Sequence, residues 1–286
     1  MKTTNLLTLP DNRQLAYAEY GIPNGYPVLY FHGAPSSRLE PLILGDEAIT
    51  QYGLRLIAPD RPGVGQSDFQ ANRGFSDWVK DMVFLADALN LNKFSVLGIS
   101  GGCGYVAACA AQIPERLHTA VIVSGGWRMD LNKDLPIISR FMWFLAKRTP
   151  RLYQVWLKLL ARSLKGSPDK LLVRLKEQFP PADYEVLKQS ERLKPFCNTT
   201  LEAVCRGFKG AAYDVQLYAR EWDFSMDEIK MSLTWFHGEQ DRNVPVAPIK
   251  RVVASMPTVN LVTYPQEGHV SLIINQLETI VKALMN

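Results

Sequence analysis

The residues with a capacity for chemistry fall in three short stretches. In Gly98-Ile99-Ser100-Gly101-Gly102 a serine stands between glycines, behind the apolar run Phe94 to Leu97 and ahead of a small-residue helix candidate, Gly101 to Gln112. A Gly-x-Ser-x-Gly in that context reads as a nucleophile elbow, a tight strand-to-helix turn that raises one hydroxyl above a sheet. At Gly98 and Gly102 a side chain would collide with the neighbouring strand or helix, and the serine itself takes a strained backbone. A serine alcohol is a poor nucleophile at neutral pH. It needs a base within hydrogen-bond reach and a carboxylate that holds that base in one tautomer. Asp241, in His237-Gly238-Glu239-Gln240-Asp241, and His269, in Gln266-Glu267-Gly268-His269, have the residue types for those roles, and each follows a candidate strand. The reaction this implies is acyl transfer to water.

The elements that must position these residues alternate. Strand candidates lie at 5–8, 14–20, 28–31, 54–58, 94–97, 120–124, 233–236 and 260–263. Helix candidates lie at 38–50, from a cap at Ser76 or Asp77 to Leu89, at 101–112 and at 270–285. Short apolar strands alternating with helices predict an α/β fold, a mostly parallel sheet covered on both faces, whose ligand site lies beyond the carboxyl ends of the strands. His32, Asp60, Ser100 and Trp127 all follow strand ends and can face one site. The alternation stops between Arg128 and Lys230, where long amphipathic runs are broken by prolines. That segment predicts a helical cap, 128–230, inserted in a core made of 1–127 and 231–286.

Four motifs in this order resemble the α/β-hydrolase superfamily, most closely its capped, single-domain esterase-type members. They are His32-Gly33-Ala34-Pro35, the loop Asp60 to Ser67, the elbow, and the Asp241 loop with the final Gly268-His269. The resemblance implies an eight-stranded sheet with the cap inserted after the sixth strand. It implies a catalytic triad of Ser100, Asp241 and His269, and an oxyanion hole made by the backbone N–H groups of Ala34 and Gly101. Asp130 is the rival acid, because some members place the acid after the sixth strand; Asp241 is favoured because Asp130 falls where the cap begins. His118, His237 and His32 fit backbone hydrogen bonding better than chemistry. His32, Trp127, Phe141, Trp143 and Val270 are nevertheless the candidate pocket residues, together with other large apolar residues of the cap.

Serine at the elbow excludes the carboxylate-nucleophile reactions of this fold, such as dehalogenation and epoxide hydrolysis. No metal-ligand spacing and no phosphate-cradling loop is present, so neither a cofactor nor a metal is expected, and no nucleic-acid partner. A small-molecule carboxylic ester, thioester or lactone is the expected substrate. A prolyl aminopeptidase-like amide hydrolase is an alternative, weakened because His32-Gly33-Ala34-Pro35-Ser36 stands where such relatives usually carry His-Gly-Gly-Pro-Gly. A ligand-sensing receptor with little turnover is another, and a lyase or acyltransferase on the same triad a third.

The N-terminus has no apolar stretch of signal-peptide type, and no apolar run has the length of a membrane span. The four cysteines read as free thiols of a reducing, cytoplasmic compartment, with Cys103 a small buried helix residue. The net charge of +4 is unevenly placed: 128–231 carries 19 Lys/Arg and 13 Asp/Glu, and the rest 13 and 15. Residues 133–176 hold 11 Lys/Arg against two Asp/Glu, Asp134 and Asp169. Within 151–165 the cations Arg151, Lys158, Arg162 and Lys165 form one stripe beside Leu152, Val155, Trp156, Leu159 and Leu160. A cap helix that packs its apolar face on the core and solvates its charges is expected; contact with an anionic membrane surface is the alternative. The oligomeric state is left open.

Overall fold

The computed structural model describes residues 2–128, 133, 135, 137–166 and 168–286. Its centre is one eight-stranded sheet: β1 (Lys2–Thr8), β2 (Gln14–Gly21), β3 (Tyr26–Phe31), β4 (Leu54–Pro59), β5 (Phe94–Ile99), β6 (Leu117–Val123), β7 (Leu233–Gly238) and β8 (Val259–Tyr264). The spatial order is β1-β2-β4-β3-β5-β6-β7-β8. The first two strands pair antiparallel and the other six run parallel, from Tyr26↔Leu54 to Gly238↔Tyr264. Strand β5 is buried at all six positions, as a central parallel strand covered on both faces must be.

Two apolar layers cover the sheet. One is built on α2 (Phe75–Ala88) and α3 (Cys103–Gln112), the other on α1 (Asp46–Gln51), α11 (Ser271–Asn275) and α12 (Leu277–Met285). Helix α10 (Val246–Val253) flanks β8. Three boundaries differ from the sequence expectation. The helix expected over 38–50 is a 3-10 turn, Glu40–Ile43, and then α1, parted by Gly45 at φ 86°, which a helix cannot include. The last helix breaks at Gln276 into α11 and α12. Helix α2 starts before Ser76, because Asp77 Oδ2 accepts from Gly74 N at 3.0 Å and Asp223 accepts from the amides of Phe75 and Ser76.

Between β6 and β7 the chain forms α4 (Ile137–Arg148), α5 (Pro150–Leu164), α6 (Pro168–Gln178), α7 (Pro181–Leu187), α8 (Ser190–Ala203) and α9 (Lys209–Tyr218). These helices have apolar clusters of their own, one around Tyr153, Leu157 and Val215, another around Leu175, Leu187 and Leu193. The end of the insert is different: Leu217, Tyr218, Trp222, Phe224 and Ile229 belong to the core under the sheet. Asp130, the rival acid, lies outside the described residues.

Candidate active site

Ser100 sits at the carboxyl end of β5 with φ 50°, at the turn into α3. The glycines around it are there for space. A Cβ on Gly98 would stand 2.6 Å from Val106 Cγ2, and one on Gly102 would stand 2.1 Å from the Phe31 carbonyl oxygen. The tight approach of α3 to β3 and β5 forces the turn and leaves the hydroxyl pointing away from the packed layer.

Asp241 follows β7 and is 5% exposed. Its Oδ1 accepts from the amides of Asn243 and Val244 at 2.9 and 2.8 Å, and its Oδ2 lies 2.7 Å from His269 Nδ1. The other oxygen being held by the backbone fixes the carboxylate against the imidazole. Burial works to lower the His269 pKa, but the charge and hydrogen bond of Asp241, with the charges of Asp183 and Glu40, outweigh it and raise the pKa above its ordinary value. With Nδ1–H held by Asp241, Nε2 is the ring nitrogen left to act as a base. Ser100 and His269 line the same two cavities. Among the described residues Ser100 Oγ makes no hydrogen bond; such pairs commonly tighten only when substrate binds.

The backbones of Ala34 and Gly101 approach one another from two loops. A Cβ added to Gly101 would stand 3.0 Å from Ala34 N. Gly101 is the second residue of a 3-10 turn, where an amide has no acceptor within its own helix. Both loops are held from behind. Arg61 donates to the carbonyls of His32 and, at 2.6 Å, Gly33. It is anchored by Asp214 of α9 at 2.8 Å, and Asp214 also takes Arg73 at 3.1 Å and the Tyr105 hydroxyl. Tyr218 donates to the Gly101 carbonyl at 2.5 Å. Thr199 of α8 accepts from the Ser37 amide at 3.0 Å. Burial opposes the charge of Asp214, yet Arg61 and Arg73 hold its carboxyl below the usual range.

Sequence reasoning missed Asp183. This α7 carboxylate is fully buried and accepts from the backbone amides of His269, Val270 and Ser271 at 2.9, 2.9 and 2.8 Å. Gly268 has to be glycine here, because a Cβ would stand 2.5 Å from the Asp183 carboxylate oxygens. The sequence carried no local signal for this contact, which spans 86 residues to His269. Glu40 was missed too. Its Oε2 accepts from the Gly33 amide at 2.8 Å and the Tyr30 hydroxyl at 3.0 Å, and burial pushes its pKa up against those hydrogen bonds.

Two cavities meet at Ser100, and Ala34, Asn243 and His269 line both. The larger, about 480 Å³, runs under α5 and α6 past Trp156, Leu160, Leu171, Leu175 and Ile273, with Glu40 on its core side. The smaller, about 180 Å³, is bounded by Trp143, Tyr153, Val215 and Tyr218. Of the five expected pocket residues, Val270 lines the large cavity and Trp143 the small one; three are elsewhere. His32 is fully buried, with Nδ1 2.8 Å from its neighbour's carbonyl, Gly33 O, and burial then the Arg61 charge keep it neutral. Trp127 packs against Trp222, ring centroids 3.8 Å apart, at a separate surface groove. Phe141 is 57% exposed on the outer side of α4, because the buried side of that helix is the one carrying Ala146.

The remaining histidines and Cys103 do not line the two cavities, although His237 Nε2 stands 3.6 Å from Asp241 Oδ2. His237 donates Nε2–H to Val244 O at 2.8 Å and is kept neutral chiefly by burial. His118 is exposed beside Tyr26. The Cys103 thiol contacts Gly126 O at 2.8 Å and is pushed up to about 12 by burial, so it holds no thiolate at neutral pH.

An α/β sheet with a serine at the β5 turn and an Asp–His pair on the loops after β7 and β8 defines the class. The family model described as the alpha/beta hydrolase fold matches residues 26–276, and the chain belongs to that family. Among curated relatives it is similar to a non-heme chloroperoxidase from Streptomyces lividans, 31% identical over 51% of this chain and 56% of that protein. It is also similar to a proline iminopeptidase from Xylella fastidiosa, 31% identical over 41% of this chain and 38% of the relative. Against three of its curated relatives the chain spans 39%, 56% and 36% of their length. Among solved structures it superposes on an esterase from Exiguobacterium antarcticum with a TM-score of 0.70 and 16% identity, covering 100% of this chain and 98% of that one. Among the described residues no helix is long and apolar enough to cross a membrane.

Proposed function

We propose that the protein is a serine hydrolase that cleaves a carboxylic ester, thioester or lactone of a small to medium apolar substrate through an acyl-enzyme on Ser100. The observation that carries this reading is the 2.7 Å Asp241–His269 pair facing the two cavities that Ser100 shares with it. His269 Nε2 takes the Ser100 proton as Oγ attacks the carbonyl carbon. The tetrahedral oxyanion forms between the Ala34 and Gly101 amides, a stabilisation worth a few kcal/mol per donor. The imidazolium, its charge compensated by Asp241, then gives its proton to the leaving alkoxide. Water attacks the acyl carbon in the second half-reaction, with His269 again as base, and frees Ser100.

The unequal cavities favour a substrate with one bulky apolar part and one small part. The Exiguobacterium neighbour, an esterase, agrees with this reading. The proline iminopeptidase relative keeps an amide substrate in view. Ser100→Ala is expected to lower kcat on p-nitrophenyl esters by about four orders of magnitude. A fluorophosphonate should add its mass to the Ser100 peptide of the native chain and leave the variant unlabelled. Labelling that persists in Ser100→Ala removes Ser100 from the role. Turnover of prolyl p-nitroanilide above that of the esters moves the substrate to amides.

A further inference from the structure

The outer side of the cap is unusual for a protein surface. On α4, Ile137 is 80% exposed, Phe141 57% and Phe144 55%; on α5, Leu152 is 56%, Val155 54% and Leu159 56%. Large apolar side chains clustered in the open mark an interaction site more often than chance exposure does. The two helices pack on one another and on α9 through Ala146, Tyr153, Leu157 and Val215. That inner packing leaves the outer residues uncovered among the described residues.

Charge accompanies the apolar residues. Arg140, Arg148, Arg151, Lys158, Arg162 and Lys165 are exposed, and between 137 and 166 there is no Asp or Glu. At about 100° per residue, Leu152, Val155 and Leu159 fall within a sector of ~60°, and Arg151, Lys158, Arg162 and Lys165 in the adjoining ~60°. On α4 the three apolar residues, Arg140 and Arg148 share one sector of ~100°. The side of α5 across from the cations, with Trp156, Leu160 and Leu164, lines the large cavity.

We infer that the outer faces of α4 and α5 dock the protein on an anionic phospholipid bilayer, with the apolar side chains in the acyl boundary and the cations at the headgroups. An apolar stripe beside a basic one, on helices too short to span, is the arrangement that lies in an interface. A second copy of the chain is the weaker occupant, because a two-fold contact through this face would set cations against cations. Docking here places the roof of the cavity against lipid, which suits esters that partition into membranes. The inference goes beyond the hydrolase reading and does not require it, since binding is read without turnover.

Flotation of the full chain with vesicles tests it. Recovery with phosphatidylcholine/phosphatidylserine vesicles at low salt is expected to exceed recovery with phosphatidylcholine alone, and to fall as salt is raised to about 1 M, where the Debye length is ~3 Å. Changing Arg151, Lys158 and Arg162 together to Gln should weaken partitioning about a hundredfold, at roughly fivefold per cation. Changing Leu152, Val155 and Leu159 together to Ser should weaken it by about tenfold or more. Circular dichroism and thermal unfolding verify that both triple variants are folded, and Ser100→Ala should float like the native chain. Equal recovery on both vesicle types, or folded variants that float as the native chain does, overturns the inference. So does a native dimer in light scattering that either triple variant converts to monomer, which assigns the face to a second copy.

Discussion

The two halves of the insert between β6 and β7 are held in different ways. Helices α7, α8 and α9 send polar side chains into the catalytic loops: Asp183 to the His269 loop, Thr199 to Ser37, Asp214 to Arg61 and Tyr218 to Gly101. Helices α4 and α5 reach the body of the molecule through apolar contact with α9 and α8, and turn an apolar and basic face outward. The first half is part of the active site's scaffold in all but sequence position. The second half roofs a cavity and meets whatever lies outside. Treating the insert as one lid would hide that division.

If α7 to α9 belong to the scaffold, their carboxylates should register on the scale set by Asp241. Asp241→Asn is expected to cost about four orders of magnitude in kcat with folding intact, because the amide selects the wrong imidazole tautomer. Asp130→Asn, measured alongside, should leave kcat close to native. The reverse pattern would move the acid to the start of the insert.

Asp214→Asn comes next. Arg61 and Arg73 are 1% and 2% exposed, and each would lose its partner carboxylate. Breaking a buried ion network by removing one member costs about 3–5 kcal/mol. That corresponds to a fall in Tm on the order of 10 °C in calorimetry. A change in Tm of only a degree or two would mean that α9 is held by its apolar contacts, as α4 and α5 are, and would erase the contrast.

Asp183→Asn has the smallest effect and the most specific signature. The amide keeps one acceptor oxygen and turns N–H donors toward the amides the other oxygen served, either His269 alone or Val270 and Ser271, which loosens the loop. Displacements of that kind cost about ten- to a hundredfold in kcat, with KM little changed. The pH profile separates positioning from mere stability. The proposed mechanism needs neutral His269, so kcat/KM is expected to fall as pH drops through its raised pKa. Burial pulls that pKa down while Asp241, then Asp183 and Glu40, push it up. Without the Asp183 charge the pKa falls, and the acid limb of the profile moves to lower pH. A limb that stays in place would reduce Asp183 to a structural contact.

What the sequence shows and hides follows the same division. The placement of Ser100, Asp241 and His269 at one sheet edge was legible because each sits just past a short apolar strand, and the ends of parallel strands converge. The sheet itself was legible from those strands. Asp183 and Asp214 were not, because the docking of one helix group on another is set by contacts 86 to 153 residues apart that no local periodicity records. Asp223, capping α2 from 148 residues away, hid the start of that helix for the same reason. Phe141 was misplaced because an amphipathic helix announces that it has two faces without saying which one meets the core. On α5 the apolar side expected to pack on the core is divided: Trp156 and Leu160 line the large cavity, while Leu152, Val155 and Leu159 are exposed.

The Asp183 latch also says how this enzyme scaffold can be cut and rejoined. Residues 128–230 look like a module that an engineer would lift out whole to change specificity. Doing so would strip three amides of the His269 loop of their acceptor and leave Arg61 without Asp214, so the recipient would lose its catalytic alignment along with its lid. The exchangeable cassette is the shorter stretch from α4 to α6, with junctions ahead of Ile137 and after Gln178. A donor segment inserted there inherits an intact catalytic frame and must supply only two things: a roof for the large cavity and a face suited to its surroundings.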